Sequence, residues 1–184
     1  MYPRGLSEFY EGWASHQELL IAALRDLTPE QLGLRTAPHQ WAVWQLAAHI
    51  AGTRAYWFHD FLGEGDPAVR DMFRVERSTV PGVSIEDAGW EDDASQPRSA
   101  AELIDGLTRT WRLMDDCLRR WTPGDLEVTV VRKSRTRSRG WVIYHVLEHD
   151  THHGGEISQI LGSNGRAPLA PPAWCSSTPH GGCT

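Results

Sequence analysis

The sequence has no long hydrophobic run. Its longest wholly aliphatic stretch covers residues 19–24, whereas a membrane-spanning helix needs about 20 apolar residues. The N-terminal segment MYPRGLSEFYEG also lacks the apolar region of a secretory signal peptide. From these absences we exclude a membrane protein and expect a soluble protein of the cytoplasm.

The sequence also has few cysteines and no net positive charge. The three cysteines are Cys117, Cys175 and Cys183, and an odd number without regular spacing does not predict a disulfide framework. The net charge is −6, whereas a general nucleic-acid binder needs a basic face, so we expect no nucleic-acid partner. Acidic residues are concentrated at 86–93, where we expect a solvated surface.

What the sequence does contain is helical periodicity. Thr28 and Ser99 each stand three residues before a glutamine or glutamate, which is the pattern of a capping box at a helix start. Apolar residues recur at helical spacing in four long segments. These predicted helices span residues 7–27, 43–62, 99–121 and 141–162.

The connections complete the predicted architecture. A long irregular connection, residues 66–98, separates the second helix from the third, as in four-helix bundles with a crossover. The β-branched segment 126–131 predicts a short strand, paired through a turn at residues 134–139. We therefore predict an all-α fold, a four-helix bundle over residues 1–165 with a short β-hairpin before the fourth helix. A Pro- and Gly-rich tail follows at 166–184.

Histidines are concentrated in the fourth predicted helix. His145, His149, His152 and His153 lie within nine residues. Residues four apart share a helix face, so His149 and His153 would present two imidazoles to one metal ion. His49, midway along the most apolar helix, is the natural third ligand from across the core. Three imidazoles with an open fourth position are typical of a catalytic metal site, and zinc and nickel both suit nitrogen ligands.

These residues also have plainer interpretations. A single histidine such as His49 on an apolar helix face is usually a hydrogen-bonded core residue, and a histidine cluster can decorate a surface. We expect His145 and His152 beside the ligands, in the pocket wall or at the surface. Glu156, one turn further along, would either orient a ligand or act as the catalytic base on metal-bound water. Asp150 is expected to be solvated.

These segments resemble the DinB/YfiT-like superfamily of metalloproteins. The resemblance rests on WAVWQLAAHIAGTRAYWF in the second helix, HVLEHDTHHGGEISQIL in the fourth and the turn TPEQL, and it extends over residues 7–162. It implies an up-down-down-up four-helix bundle, often a homodimer. It also implies a divalent metal held by one histidine of the second helix and two of the fourth, which are His49, His149 and His153 here.

The resemblance implies a function as well. Members of known activity are often transferases or isomerases that use bacillithiol, mycothiol or glutathione, with the metal activating the thiol. This sequence has Gly154 where an arginine is common and Glu156 where a glutamine is frequent, and both departures concern the cosubstrate contacts. We therefore expect a divalent-metal-dependent thiol S-transferase or isomerase that acts on a small electrophile.

Further residues would complete such an enzyme site. The basic run before the fourth helix would hold the carboxylates of a low-molecular-weight thiol or form a solvated hairpin tip; it comprises Arg132, Lys133, Arg135, Arg137 and Arg139. Trp41, Trp57 and Trp141 would wall the pocket or pack in the core. Two alternative functions remain open: a metal-dependent hydrolase with Glu156 as base, and a non-catalytic metal- or ligand-binding protein of a stress response.

Overall fold

The two predicted capping boxes lie at helix starts in the structure. The Thr28 hydroxyl accepts a hydrogen bond from the Gln31 N–H, and Gln31 Oε1 accepts one from the Thr28 N–H. Ser99 and Glu102 make the same reciprocal pair. These hydrogen bonds confirm both predicted capping boxes. They satisfy backbone N–H groups that have no partner inside the helix.

The computed structural model describes residues 6–132 and 134–169. This part of the chain is mostly helical, with one two-stranded sheet. Its helices are α1 (Glu11–Leu24), α2 (Pro29–Leu32), α3 (Val43–Ala55), α4 (Ala68–Asp71), α5 (Ala100–Arg120) and α6 (Arg139–Ser163), and its strands are β1 (Thr129–Arg132) and β2 (Arg135–Ser138). Lys133, Cys175, Cys183 and all but the first residues of the predicted tail lie outside the described residues.

The first predicted helix is shorter than expected at both ends, and the second changes its helical type near its end. A 3₁₀ turn at Leu6–Glu8 precedes α1, so the helix begins at Glu11 rather than at Ser7. The residue before α1 is therefore Tyr10, whose side chain makes no capping hydrogen bond. The second predicted helix has its expected extent, but beyond α3 it continues as a π-helical turn at Tyr56–Phe61, a distortion that is frequent near functional sites.

The β-hairpin is present, but its turn lies earlier than predicted. β1 and β2 pair antiparallel, with Arg132 opposite Arg135. The predicted turn at residues 134–139 is therefore wrong, because most of that segment is β2. The first strand is also shorter than predicted, because residues 123–127 form a 3₁₀ turn that begins with a proline, a residue suited to the start of a helical turn.

The four long helices enclose the core. α3 packs against α5 and α6, and α1 contacts the same two helices. The apolar sequence of α3 predicts burial on most of its circumference, and 11 of its 13 residues are buried. No helix in the described part of the chain is long and apolar enough to cross a bilayer.

The crossover between α3 and α5 packs onto the helices. It contains α4 and a 3₁₀ turn at Trp90–Asp92. The Trp90 ring is 5% exposed and lies against the Phe73 ring and against Gly106 of α5, where a Cβ atom would approach the indole to 3.0 Å. Because a large aromatic side chain is buried here, the position of this turn on the bundle is well defined.

Two acidic residues of the crossover are not solvated. Asp93 is fully buried and accepts hydrogen bonds from Thr79, Ser95 and Gln96. Glu91 points inward, with 14% of its side chain exposed. The expectation that 86–93 is a solvated surface is therefore wrong for Asp93 and Glu91. The Asp93 carboxylate finds several hydrogen-bond donors inside the fold, and Glu91 Oε1 lies beside a ring nitrogen of His49.

Candidate metal centre

Three histidines converge between α3 and α6. His49 comes from α3, and His149 and His153 come from successive turns of α6. One ring nitrogen of each residue lies within 4.8 Å of the others, and the ring centroids of His149 and His153 are 4.4 Å apart. The structure thus brings together the three residues that the sequence nominates as metal ligands.

The closest pair of nitrogens tests whether this cluster suits a metal ion. Nε2 of His49 and Nε2 of His149 are 2.9 Å apart. Two imidazole ligands about 2.05 Å from one ion would be about 2.9 Å apart at a right angle and about 3.3 Å apart at the tetrahedral angle usual for zinc. The alternative is a hydrogen bond between the two rings, so the separation suits a shared ion without requiring one.

In two of these rings, a glutamate carboxylate lies beside the Nδ1 atom. Glu91 Oε1 lies 3.3 Å from His49 Nδ1, and Glu156 Oε2 lies 2.6 Å from His153 Nδ1. An ionised carboxylate accepts hydrogen bonds and cannot donate them. In a neutral imidazole the hydrogen would therefore be on Nδ1, and Nε2 would keep a lone pair. This pairing of carboxylate and histidine is the usual support of metal-bound imidazoles.

His149 is held differently. Its Nδ1 is buried and has no hydrogen-bond partner among residues 6–132 and 134–169, while its Nε2 lies 3.3 Å from the Thr53 hydroxyl. Burial, followed by the charges of His153 and His49, lowers the pKa of His149 to about 3. Burial also lowers the pKa of His153, although the bond to Glu156 opposes that shift. Both rings are thus biased toward the neutral form, which is the form that binds metals.

A buried ion pair lies directly behind the histidines. Arg54 of α3 and Asp150 of α6 are both fully buried, with Arg54 Nε donating to Asp150 Oδ2 at 2.9 Å. The indole N–H of Trp13 donates to the same oxygen at 2.7 Å, and Arg54 also donates to Gln17 Oε1. The network joins α1, α3 and α6 next to the cluster.

The expectation that Asp150 is solvated is therefore wrong. Asp150 follows His149 by one residue, which turns its side chain about 100° around α6 and away from the other histidines. That direction leads into the interface with α1 and α3 rather than to water. One sequence signal was available: Arg54 stands within a strongly apolar helix, and a buried arginine requires an acidic partner.

A cleft opens on one side of the cluster. Its volume is about 350 Å³, and its walls include Thr36, Gln40, Trp41, His153, Glu156 and Gln159. The Trp41 ring meets the His49 ring edge-on at 4.7 Å between centroids and is 38% exposed. Trp41 thus lines the cleft, which is one of the two roles predicted for it. No arginine or lysine of the described residues is among the side chains that line it.

On the other side of the cluster, aromatic rings surround His145. Its ring stacks on Trp141 at 4.8 Å and meets the buried Trp57 edge-on at 5.1 Å. The Arg137 guanidinium lies 4.5 Å from the centroid of Trp141. The centroids of His145 and His149 are 6.3 Å apart, so His145 lies beside the three-histidine cluster and outside it.

Comparison with known proteins identifies the family. A family model of the DinB superfamily matches residues 13–157. The chain belongs to the DinB superfamily. No curated protein matches its sequence.

Solved structures with the same fold include two DinB-like proteins of bacilli. One, from Bacillus cereus ATCC 10987, has a TM-score of 0.61 and 20% identity, with 89% of this chain and 95% of that chain covered. The other, YjoA from Bacillus subtilis, has a TM-score of 0.55 and 12% identity, with 85% and 91% covered. A conserved protein from Enterococcus faecalis has a TM-score of 0.64 and 16% identity, with 86% and 98% covered. At these identities the likeness concerns the fold.

The remaining predicted site residues of this DinB-superfamily protein lie farther out. His152 has 62% of its side chain exposed, and its Nε2 is 3.9 Å from Glu156 Oε1. Arg132 and Arg135 are exposed on the hairpin, whereas Arg139 pairs with Glu64 and Asp125. Of the basic run in the described residues, Arg137 is therefore the member that approaches the histidines, through Trp141.

Proposed function

We propose that this DinB-superfamily protein is a divalent-metal-dependent enzyme, a thiol S-transferase or isomerase that acts on a small electrophile. The observation that carries the proposal is the convergence of His49, His149 and His153, with two Nε2 atoms 2.9 Å apart. Zinc and nickel are the proposed metals, because both accept imidazole ligands. Bacillithiol, mycothiol and glutathione represent the proposed class of cosubstrate.

In this proposal the histidines hold the ion and the glutamates orient the histidines. A divalent cation bound there supplies a Lewis acid that lowers the pKa of a thiol. Glu156, predicted as a catalytic base, has an oxygen 2.6 Å from His153 Nδ1, which favours an orienting role. It also makes the hydrolase alternative less attractive, since that alternative needs the Glu156 carboxylate as the base for a water.

The two sides of the cluster suit two different substrates. The 350 Å³ cleft at Trp41 is large enough for a small organic molecule and has no arginine or lysine in its described lining, so we assign the small electrophile to it. Arg137, stacked on Trp141, offers a guanidinium that can bind a carboxylate of the thiol. The thiol and the electrophile would then approach the cluster from opposite sides.

The proposal extends to the arrangement of the helices and of the subunits. The contacts of α1 and α3 with both α5 and α6 support an up-down-down-up bundle, and the family resemblance supports a homodimer. A location in the cytoplasm is also part of the proposal. Light scattering on the purified protein would measure the number of chains in the assembly directly. A monomer at micromolar concentration would contradict the homodimer without bearing on the metal centre.

The experiment that tests the reaction class is thiol titration of cobalt-substituted protein. Bacillithiol, mycothiol and glutathione are added in turn, and the d–d absorption reports whether a thiol reaches the metal. We expect one thiol to change the spectrum and to bind more weakly to Arg137→Gln. Arg109→Gln, which removes an exposed arginine of α5, is the matched control and should bind it as the wild type does.

Two outcomes would favour the alternatives. If no thiol changes the spectrum, the transferase proposal is wrong. If exogenous ligands such as azide or cyanide also leave the spectrum unchanged, and chelation abolishes folding, the metal is structural and the protein is a non-catalytic binding module.

A further inference from the structure

We infer that Glu91 is a positioning residue for His49, delivered to the metal centre by the crossover between α3 and α5. The inference rests on the proposed metal site, which it deepens by adding a third segment to the two helices that carry the ligands. The contact that motivates it is the 3.3 Å approach of Glu91 Oε1 to His49 Nδ1. Helical spacing does not predict this contact, because the two residues are 42 positions apart.

The backbone around Glu91 is anchored on both sides. Trp90, the preceding residue, is buried in the core against Phe73. Asp93 is fully buried, and its carboxylate accepts hydrogen bonds from three side chains, including those of Ser95 and Gln96. Asp92 Oδ2 accepts a hydrogen bond from the Gly89 N–H at 2.7 Å and closes the turn. The segment is therefore a fixed platform, and Glu91 is its inward-pointing side chain.

Of the two glycines nearest the Glu91 carboxylate, Gly89 leaves the space that it occupies. A Cβ atom on Gly89 would stand 2.7 Å from Oε2 and 2.9 Å from Oε1 of Glu91, and one on Gly52 of α3 would stand 3.5 Å from Oε1. The first distance is a clash, whereas the second is an ordinary van der Waals contact. Gly89 has φ −95° and ψ 173°, a conformation that any residue adopts. Glycine at this position therefore makes room for the Glu91 carboxylate, and the backbone conformation does not require it.

The consequence for His49 is a fixed tautomer and a fixed ring orientation. With Nδ1–H donating to the Glu91 carboxylate, Nε2 carries the lone pair and faces His149 Nε2 at 2.9 Å. Without the carboxylate, the hydrogen is free to occupy either nitrogen, and the ring is free to turn about its Cβ–Cγ bond. Carboxylates in this position typically change metal affinity by about 10- to 100-fold.

The test compares Glu91→Gln, Glu91→Ala and Gly89→Ala, with Gly52→Ala as the matched control. Zinc affinity is measured by competition with a chromophoric chelator, and the tautomer of His49 is read from ¹⁵N NMR of the protein kept in chelator. We expect Glu91→Ala and Gly89→Ala to bind zinc about 10- to 100-fold more weakly. Glu91→Gln should lose less, since its amide oxygen still accepts a hydrogen bond from Nδ1. Gly52→Ala should bind as the wild type does.

Three measurements separate positioning from a general effect on folding. Gly89→Ala introduced into Glu91→Ala should cause no additional loss of zinc affinity, because there is no carboxylate left to displace. The thermal midpoint in chelator should be alike in Glu91→Gln and the wild type. The NMR spectrum should show the Nδ1–H tautomer of His49 in the wild type and a mixture in Glu91→Ala.

The inference is overturned if Glu91→Ala keeps both the zinc affinity and the His49 tautomer of the wild type. It is also overturned if Gly52→Ala weakens binding as much as Gly89→Ala. Failure of the proposed function looks different: the wild type itself would bind no zinc, while the tautomer of His49 in chelator would still report whether Glu91 holds the ring.

Discussion

At the scale of single residues, the three histidines of the cluster differ in what holds them. Glu91 and Glu156 accept hydrogen bonds from His49 and His153, whereas Nδ1 of His149 is buried without a partner in the described residues. A carboxylate that accepts a hydrogen bond from an imidazole raises the basicity of the imidazole and fixes the orientation of the ring. His149 is therefore positioned by the packing of α6 and by Thr53 rather than by a carboxylate.

Cys117 provides a prediction about reactivity. The residue is fully buried and free of disulfides, and burial, helped by the charge of Glu64, raises the pKa of its thiol to about 12. Since the thiolate is the reactive form, we expect iodoacetamide to leave Cys117 unmodified at pH 8 in native protein and to modify it in urea. Peptide mapping by mass spectrometry checks this. Alkylation of Cys117 in the native protein at the rate of a free cysteine would contradict the burial.

His16 provides a prediction about pH. Its Nε2 lies 3.0 Å from the Asp150 carbonyl, and burial is the largest cause of its lowered pKa, with the charge of Arg54 acting in the same direction and the contacts with Asp150 opposing it. Because the folded-state pKa lies below the unfolded value of about 6.5, the unfolded chain binds more protons in that range. This contribution to stability is complete above pH 6.5 and is lost as pH falls below it.

The matched variant is His16→Gln, whose side-chain amide can still donate to the same carbonyl. Urea unfolding at pH 8 and pH 5 should show that the wild type loses more stability on acidification than His16→Gln does. All other residues are the same in both proteins, so the difference between the two losses of stability isolates His16. Equal losses in the two proteins would show that His16 titrates normally in the fold.

At the scale of elements, local rules predicted the helices well and the hairpin less well. The capping boxes at Thr28 and Ser99 and the periodicity of α5 and α6 depend on residues within one or two turns of each other, which a sequence displays directly. The β-turn was misplaced because several polar residues in 132–139 suit either a turn or a strand, and cross-strand pairing decides between them. The inward direction of Asp150 was missed because it depends on where α1 and α3 lie.

The ion pair between α3 and α6 predicts a large effect on stability. Arg54 and Asp150 are both fully buried, and removal of one partner leaves a charge without compensation, which typically costs about 3–5 kcal/mol. We expect Arg54→Met to lower the free energy of unfolding by that amount. The double variant Arg54→Met/Asp150→Leu should recover part of the loss, because no buried charge remains.

The control for this prediction is the exposed pair of Arg109 and Asp105 on α5, where about half of each side chain is accessible. Arg109→Met should change the free energy of unfolding only slightly, because solvent screens exposed pairs. Urea denaturation of the three variants measures all of these quantities. An effect of Arg54→Met no larger than that of Arg109→Met would show that the buried pair contributes little.

At the scale of the whole molecule, the candidate site is assembled from three segments that are distant in the sequence. α6 supplies His149 and His153, α3 supplies His49 and the crossover supplies Glu91. The pair on α6 could be predicted from helical spacing, and His49 from its place on an apolar helix together with the family resemblance. Glu91 could not be predicted, because no local pattern shows that residues of a long connection return to the centre of α3.

The claim that this assembly is a metal centre is tested most directly by zinc binding to the wild type and to single histidine variants. We expect the wild type to bind about one zinc ion per chain, and His49→Ala, His149→Ala and His153→Ala each to lose that binding. His145→Ala and His152→Ala, whose rings lie outside the cluster, should retain it. Undiminished binding in any of the first three variants, or loss of binding in His145→Ala with the fold intact, would contradict the assignment of the ligands.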